Sequence, residues 1–252
     1  MNFNGKSILI TGASSGIGKA LTKELSYYNC RLFLAARRKI LLDEIADNLS
    51  KTNSNIFTFE CDVSEKQSVS DLFNQIKNKT DFIDIAILNA GVGHNMKVEN
   101  FDSKYAWQIF GTNVLGLIYC IEQLLPDYLR EKRGTIAGVS SLADNRGFSE
   151  SGFYCASKAA ATIYLDGLRV ELRSHGVKVI TIKPGFVKTP MTDKNDFKMP
   201  LLMPVEKSAK IILRGLEKEK SIIQFPLPLV IGSKLVGALP TFIYERLARL
   251  LK

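Results

Sequence analysis

The chain has 252 residues, 46% of them hydrophobic and 23% charged, with 34 Lys+Arg against 25 Asp+Glu for a formal net charge of +9. That length and apolar content support one large domain with a substantial core and exclude a disordered chain. The 18 glycines and 8 prolines follow no short period, which excludes collagen-like, solenoid and low-complexity architectures.

Short runs rich in Ile, Val, Leu and Phe alternate with longer stretches of helical periodicity. In chain order the pattern predicts a strand over Lys6–Thr11, a helix over Gly16–Tyr28, a strand over Arg31–Ala36 and a helix over Ile40–Lys51. A strand over Asn55–Glu60, a helix over Glu65–Lys79, a strand over Asp84–Leu88 and a long helix over Ser103–Arg130 follow. The last part reads as a strand over Gly134–Val139, a helix over Phe153–His175, a strand over Val177–Lys183, a helix over Val205–Lys220 and a short strand over Ile222–Gln224. The strands are too uniformly apolar to have a wet face, so helices should cover both sides of a parallel sheet. The expectation is a single α/β domain over residues 1–252, a Rossmann-type doubly wound sheet of about seven strands. Residues 184–204, with little periodicity, read as a binding loop, and residues 221–252 as an apolar tail with a basic end.

Thr11-Gly12-Ala13-Ser14-Ser15-Gly16-Ile17-Gly18 follows the first strand and opens the first helix. Its glycines permit a sharp turn and a close backbone approach, and the helix start aims free N–H groups and partial positive charge at the turn. That combination suits a pyrophosphate. The second strand ends in Arg37-Arg38, where an acidic residue would accept hydrogen bonds from the hydroxyls of an adenosine ribose. Two guanidinium forks suit a phosphate dianion instead, so NADP(H) is the expected cofactor, in preference to NAD.

With Cys61-Asp62-Val63, Asn89-Ala90-Gly91, Asn113, Ser141, Tyr154-Cys155-Ala156-Ser157-Lys158 and Pro184-Gly185-Phe186-Val187-Lys188-Thr189, the glycine turn resembles the short-chain dehydrogenase/reductase family over nearly the whole chain. The resemblance implies that Asp62 and Val63 hold the adenine and that Asn89, Ala90 and Gly91 support the sheet and line the cofactor. It also implies that Pro184, Gly185 and Val187 run beside the cofactor and that Thr189 reaches the nicotinamide amide.

Reducing a carbonyl needs an acid for the oxygen and support for developing negative charge, while the cofactor carries the hydride. Tyr154 and Lys158 are four apart in a predicted helix, so they share a face, and an ammonium there would favour the tyrosinate. By resemblance Lys158 also binds the nicotinamide ribose, Ser141 donates to the substrate oxygen, and Asn113 holds a water in a proton relay. Ser140 competes with Ser141, because alternation sends neighbouring strand residues to opposite faces; family spacing selects Ser141. His94 and His175 have no partner at ligand spacing, so no metal is expected, and His94 reads as an exposed loop residue, with a place at the pocket mouth as the alternative.

Met191, Phe197, Met199, Leu201, Leu202 and Met203 give the loop an apolar character, which predicts a substrate with a sizeable hydrophobic portion. From Phe186 onward there are twelve Lys/Arg and six Asp/Glu, yet no zinc-finger spacing or basic recognition helix, so nucleic acid is not an expected partner. Ser221 to Tyr244 carries Lys234 as its one charge but also Pro226, Pro228 and Pro240, which argues against a spanning helix. The tail could lie at a membrane surface or pack on another subunit. Resemblance to the family implies a homodimer or homotetramer paired through the helices around Ser103–Arg130 and Phe153–His175. The cysteines Cys30, Cys61, Cys120 and Cys155 form no C-x-x-C pair and read as reduced core thiols. Residues 1–5 lack the marks of a secretory signal, so a cytoplasmic protein is expected, with a peripheral membrane contact as an option. The alternative to an enzyme is an NADP-binding regulatory protein that uses the tail to hold a partner.

Overall fold

Ser7–Thr11 (β1) is buried along its whole length, because it lies inside a sheet that helices cover on both faces. The computed structural model describes residues 1–53 and 55–250. The further strands are Arg31–Ala36 (β2), Ile56–Glu60 (β3), Ile85–Leu88 (β4), Thr135–Val139 (β5), Lys178–Pro184 (β6) and Ile222–Phe225 (β7). Each lies within one residue of its predicted ends. All pairings are parallel and the order is β3-β2-β1-β4-β5-β6-β7. The winding reverses between β1 and β4, which opens a crevice beyond their carboxyl ends.

The helices are Gly16–Leu25 (α1), Lys39–Leu49 (α2), Lys66–Lys77 (α3), Lys104–Phe110 (α4), Gly116–Glu131 (α5), Gly152–Leu172 (α6), Val205–Glu217 (α7), Leu227–Ala238 (α8) and Thr241–Leu250 (α9). Alternation along the strands divides the core into two layers. Ile8, Ile10, Leu32 and Leu34 pack with Leu21 and Leu25 of α1 and Leu213 and Leu216 of α7. On the other face Leu9 and Phe33 pack with Leu72 and Phe73 of α3, Ile121 and Leu124 of α5 and Leu165 of α6.

Two stretches depart from the sequence reading. The helix expected over Ser103–Arg130 contains a wider π turn, Gly111–Leu115, between α4 and α5. The tail holds two helices, α8 and α9, where only an apolar stretch with a short amphipathic end was expected. Pro228 falls in the first turn of α8, where a proline costs no hydrogen bond, and Pro240 lies in the gap before α9. The prolines punctuate helices here instead of preventing them.

The tail folds back onto the body of the domain. Asn145 Nδ2 donates to Ser233 Oγ of α8 at 3.1 Å, the Arg146 guanidinium lies 4.4 Å from the Tyr244 ring centroid, and the Tyr244 hydroxyl donates to the Gly147 carbonyl. Val230 is buried, while Leu227, Ile231 and Leu235 leave an exposed row along α8.

The carboxyl ends of β1 and β4 are joined by side chains. Thr11 Oγ1 accepts from the N–H groups of Asn89 and Ala90 at 3.0 and 3.1 Å, and Asn89 Nδ2 donates to the Thr11 and Gly12 carbonyls at 3.0 and 3.2 Å. Thr11 is buried, so losing its hydroxyl would strand two N–H donors away from water. Thr11→Val is expected to lower stability by about 2–4 kcal/mol in urea unfolding, despite its matched shape.

Candidate active site

The crevice is a cavity of about 460 Å³ at the carboxyl ends of the sheet. The glycine turn forms its floor. Gly12 has φ +66°, and a β-carbon there would lie 2.8 Å from the Ala90 Cα; at Gly18 one would lie 2.4 Å from the Gly12 carbonyl oxygen. Neither position tolerates a side chain, so α1 starts directly against the turn. Ser15, at the N-cap of α1, is extended and its side chain bonds none of the first-turn N–H groups. Those donors remain available to an anion.

One end of the cavity is basic. Arg38 Nη2 lies 3.4 Å from Ser14 Oγ and 3.5 Å from Ser15 Oγ, which brings its guanidinium over the turn. Arg37 Nη1 lies 3.8 Å from Asp62 Oδ2, and both side chains reach solvent. The other Asp62 oxygen accepts from the Ser64 N–H and hydroxyl at 3.0 and 2.7 Å. Ser14, Ser15, Gly16, Ile17, Arg37, Arg38, Asp62, Val63, Asn89, Ala90 and Gly91 all line the wall.

The other end holds a phenol and an ammonium, those of Tyr154 and Lys158. Tyr154 and Lys158 project one turn apart from α6, with the Lys158 Nζ 5.8 Å from the Tyr154 ring centroid. Lys158 is buried and donates to the Val139 carbonyl at 2.9 Å. Burial lowers its pKa to about 8, against an opposing pull from the Asp144 carboxylate. Burial likewise holds the Tyr154 phenol above its usual range, while its hydrogen bond with Ser141 pulls the other way. An ammonium close to the phenol would by itself draw the tyrosine down. Here desolvation wins, because the ammonium turns to a carbonyl and is itself partly discharged.

Ser141 begins the 3-10 turn Leu142–Asp144, and its Oγ accepts from the Ala143 N–H at 3.1 Å beside Tyr154. The Ser140 side chain instead donates to the Lys158 carbonyl at 2.9 Å. Asn113, in the π turn, is buried and spends its amide on structure: it accepts from the Val92 N–H at 2.8 Å and donates to the Val92 carbonyl and to Ser157 Oγ, both at 2.9 Å. A β-carbon on Gly91 would lie 3.3 Å from both Asn113 Oδ1 and Lys158 Nζ, so a bare backbone passes between them.

Pro184, Gly185, Val187 and Thr189 also line the cavity, with Thr189 lying over Gly16. Thr11, Gly18 and Asn113 stand behind the wall, where they join strands, seat α1 and fix the Val92 backbone. Ala36, Val92, Thr112, Val139, Pro190 and Thr192 line it without having been named from sequence, as do Cys61, Ser140 and Met191, which the sequence names in other roles. Each neighbours a predicted residue in sequence or follows such a neighbour, which is the signal that could have found them. Met191 Sδ and the Tyr154 ring both approach Gly93, so the loop after Thr189 caps the reactive end. His94 is exposed and stacks on Tyr105, with ring centroids 3.8 Å apart, outside the cavity. Among the described residues no group of His, Cys, Asp and Glu could hold a metal, and the four cysteines are buried and free.

The donor set fits a nicotinamide dinucleotide, with free N–H groups and a glycine cradle in the middle, Asp62 and the arginines at one end and Lys158 with Tyr154 at the other. The buried ammonium also has a consequence for stability. Unfolded, Lys158 titrates near its ordinary 10.5; folded, near 8. Between those values the unfolded chain binds a proton that the folded chain has lost, so this group's contribution rises with pH. The stability of the wild type relative to Lys158→Met is expected to grow by about 3 kcal/mol between pH 8 and 10.5, read by urea unfolding across that range.

Comparison with known proteins agrees with this arrangement. A family model described as short chain dehydrogenase matches residues 6–199. An uncharacterized oxidoreductase of Myxococcus xanthus is 32% identical over 247 residues, covering 98% of both chains. The NADP-dependent 3-hydroxy acid dehydrogenase of Schizosaccharomyces pombe is 31% identical over 233 residues, 87% of this chain and 90% of that one. A short chain dehydrogenase/reductase of Burkholderia phymatum, solved in complex with NAD, superposes with a TM-score of 0.86 at 22% identity, over 93% of this chain and 94% of the other. The matched family, the shared sheet and the cleft at its switch point make this chain a member of the short-chain dehydrogenase family of NAD(P)-binding oxidoreductases.

Proposed function

We propose that the protein is an NADP(H)-dependent oxidoreductase that interconverts an apolar ketone or aldehyde with its alcohol. The observation that carries this reading is one continuous cavity with Arg38 over Ser14 and Ser15 at one end and Tyr154, Lys158 and Ser141 at the other. Arg37 and Arg38 would hold the phosphate on the adenosine ribose, and the first-turn N–H groups of α1 the pyrophosphate. The NADP-dependent relative in Schizosaccharomyces pombe supports the choice of cofactor.

When bound, the nicotinamide supplies or accepts the hydride. Tyr154 gives its hydroxyl proton to the carbonyl oxygen as negative charge develops there, and Ser141 donates a hydrogen bond to the same oxygen. Lys158 stabilises the tyrosinate left behind, and its value near 8 lets it pass a proton back at neutral pH. Asn113 holds Val92 and so keeps the backbone beside Lys158 in place. In the oxidising direction each proton moves the opposite way. Met191 limits water at Tyr154, and Phe186 with Phe197, whose rings meet edge to face at 6.0 Å, stiffens the loop that would cover an apolar substrate.

The test is a fluorescence titration with NADPH and NADH, followed by turnover on a panel of apolar carbonyls. Tighter binding of NADPH, its loss of at least tenfold in Arg38→Leu, and abolished turnover with retained binding in Tyr154→Phe are the expected results. Preferential NADH binding would overturn the cofactor assignment, and full activity of Tyr154→Phe would overturn the chemistry.

Two exposed apolar rows bear on assembly. Trp107 on α4 and Ile163 and Val170 on α6 face solvent, which supports pairing of subunits through these helices. Leu227, Ile231 and Leu235 on α8, with exposed Lys234 and Arg246 nearby, support contact with an anionic membrane surface. Ile163→Glu with Val170→Glu is expected to reduce the particle to a monomer in light scattering. Ile231→Asp with Leu235→Asp is expected to remove co-sedimentation with anionic vesicles and leave the mass unchanged.

A further inference from the structure

Behind the reactive end lies an ion pair that the mechanism above does not use. Asp144 closes the 3-10 turn that Ser141 opens, and its side chain is 1% exposed. Lys183, in β6 immediately before Pro184-Gly185, meets it at 2.8 Å and is 11% exposed. Thr162, one turn beyond Lys158 on α6, donates to the same carboxylate oxygen from 2.6 Å and sits 2.7 Å from Ser140 Oγ. The Ser140 hydroxyl in turn donates to the Lys158 carbonyl at 2.9 Å. The other carboxylate oxygen of Asp144 is buried with no hydrogen-bond partner among the described residues. One carboxylate therefore ties together the Ser141 turn, the helix of Tyr154 and Lys158, and the strand that leads to the cofactor wall.

A carboxylate this deep is screened little by solvent, so its field reaches neighbouring groups. Lys183 faces it from β6, and Tyr154, Cys155 and Lys158 lie within its field from α6. Its own turn contributes Arg146, which reaches away to the Gly237 carbonyl, and α8 contributes Lys234, which is exposed. Lys183 is the one cation paired directly with it among the described residues. Replacing Asp144 while keeping Lys183 would leave a buried positive charge near Lys158. Replacing Lys183 while keeping Asp144 would leave a negative one.

We propose that Asp144 and Lys183 form a charge-compensated positioning pair that sets the proton affinity of Lys158, and through it that of Tyr154, without touching substrate or cofactor. The proposal deepens the reading of Tyr154 and Lys158 as the acid–base groups and rests on it for its catalytic meaning. Its sign is definite. Loss of the carboxylate makes Lys158 easier to deprotonate, loss of the Lys183 ammonium makes it harder, and loss of both leaves it nearly unchanged.

The experiment is a charge cycle on the full chain with Asp144→Asn, Lys183→Gln and the double variant. Carbon NMR of the lysine ε-carbons reads Lys158 directly, with its signal identified by its absence from Lys158→Met, and pH profiles of turnover are measured alongside. Asp144→Asn is expected to move the Lys158 midpoint down by about one pH unit, Lys183→Gln to move it up by a similar amount, and the double variant to restore it. Lys183→Arg, which keeps the charge, should keep the wild-type midpoint. Shifts of the same sign in both single variants, or no shift in either, would overturn the proposal and reduce the pair to a structural tie. Should Asp144→Asn fail to fold, Lys183→Gln decides alone: an upward shift supports the pair and an unmoved midpoint overturns it. The NMR midpoint is independent of turnover, so an inactive wild type would overturn the proposed function while the titration still judged the pair.

Discussion

Everything at the site depends on how closely two loops approach where the winding of the sheet reverses. β1 and β4 are neighbours in space but far apart in the chain, and their ends are held by Thr11 and Asn89 through mutual hydrogen bonds. That staple lets Gly12 lie against Ala90 and Gly18 against Gly12, with no room for a β-carbon at either glycine. The free N–H groups of α1 therefore point into a cleft whose far wall is the backbone of Ala90 and Gly91. A looser join would widen the cleft and turn the helix start away from it.

The reactive end answers a different constraint, that of keeping an ammonium inside the protein. Lys158 has one carbonyl for company, from Val139, and a carboxylate further off in Asp144. The desolvation that lowers the lysine also raises Tyr154, so the two groups are driven apart in proton affinity, with the phenol holding its proton more tightly than the ammonium. A tyrosinate beside such an ammonium is the stronger base of the two, so a proton on Lys158 moves to it downhill.

The sheet was legible because buried parallel strands leave short apolar runs, and every one fell near its expected place. The π turn was not, since Gly111-Thr112-Asn113-Val114-Leu115 reads as ordinary helix and the bonds of Asn113 run to Val92 on another loop. α8 escaped because Leu227–Ala238 is apolar on nearly all sides, carries Pro228 and is flanked by Pro226 and Pro240, so it shows neither a stripe nor an uninterrupted run. At the site, the motif spacings located the turn, the arginines and the Tyr154–Lys158 pair, and alternation left Ser140 and Ser141 to be separated by family spacing. The structure separates them by direction, one hydroxyl toward Lys158 and the other toward Tyr154. The heading of the Lys158 ammonium toward Val139 is a matter of packing between α6 and β5, which helical spacing alone does not contain.

The tail gives the domain an unequal construction. Leu229 of α8 packs on Gly185, and Ser233 bonds to Asn145, so the C-terminal helices touch the loop and the turn that frame the reactive end. The family model ends at residue 199, before these helices begin. The part that the family model matches carries the dinucleotide cleft together with Tyr154 and Lys158, and a C-terminal segment beyond it completes the frame of the cleft. Exchange of that segment between relatives would be a route to new substrate preferences that leaves the machinery for the dinucleotide intact.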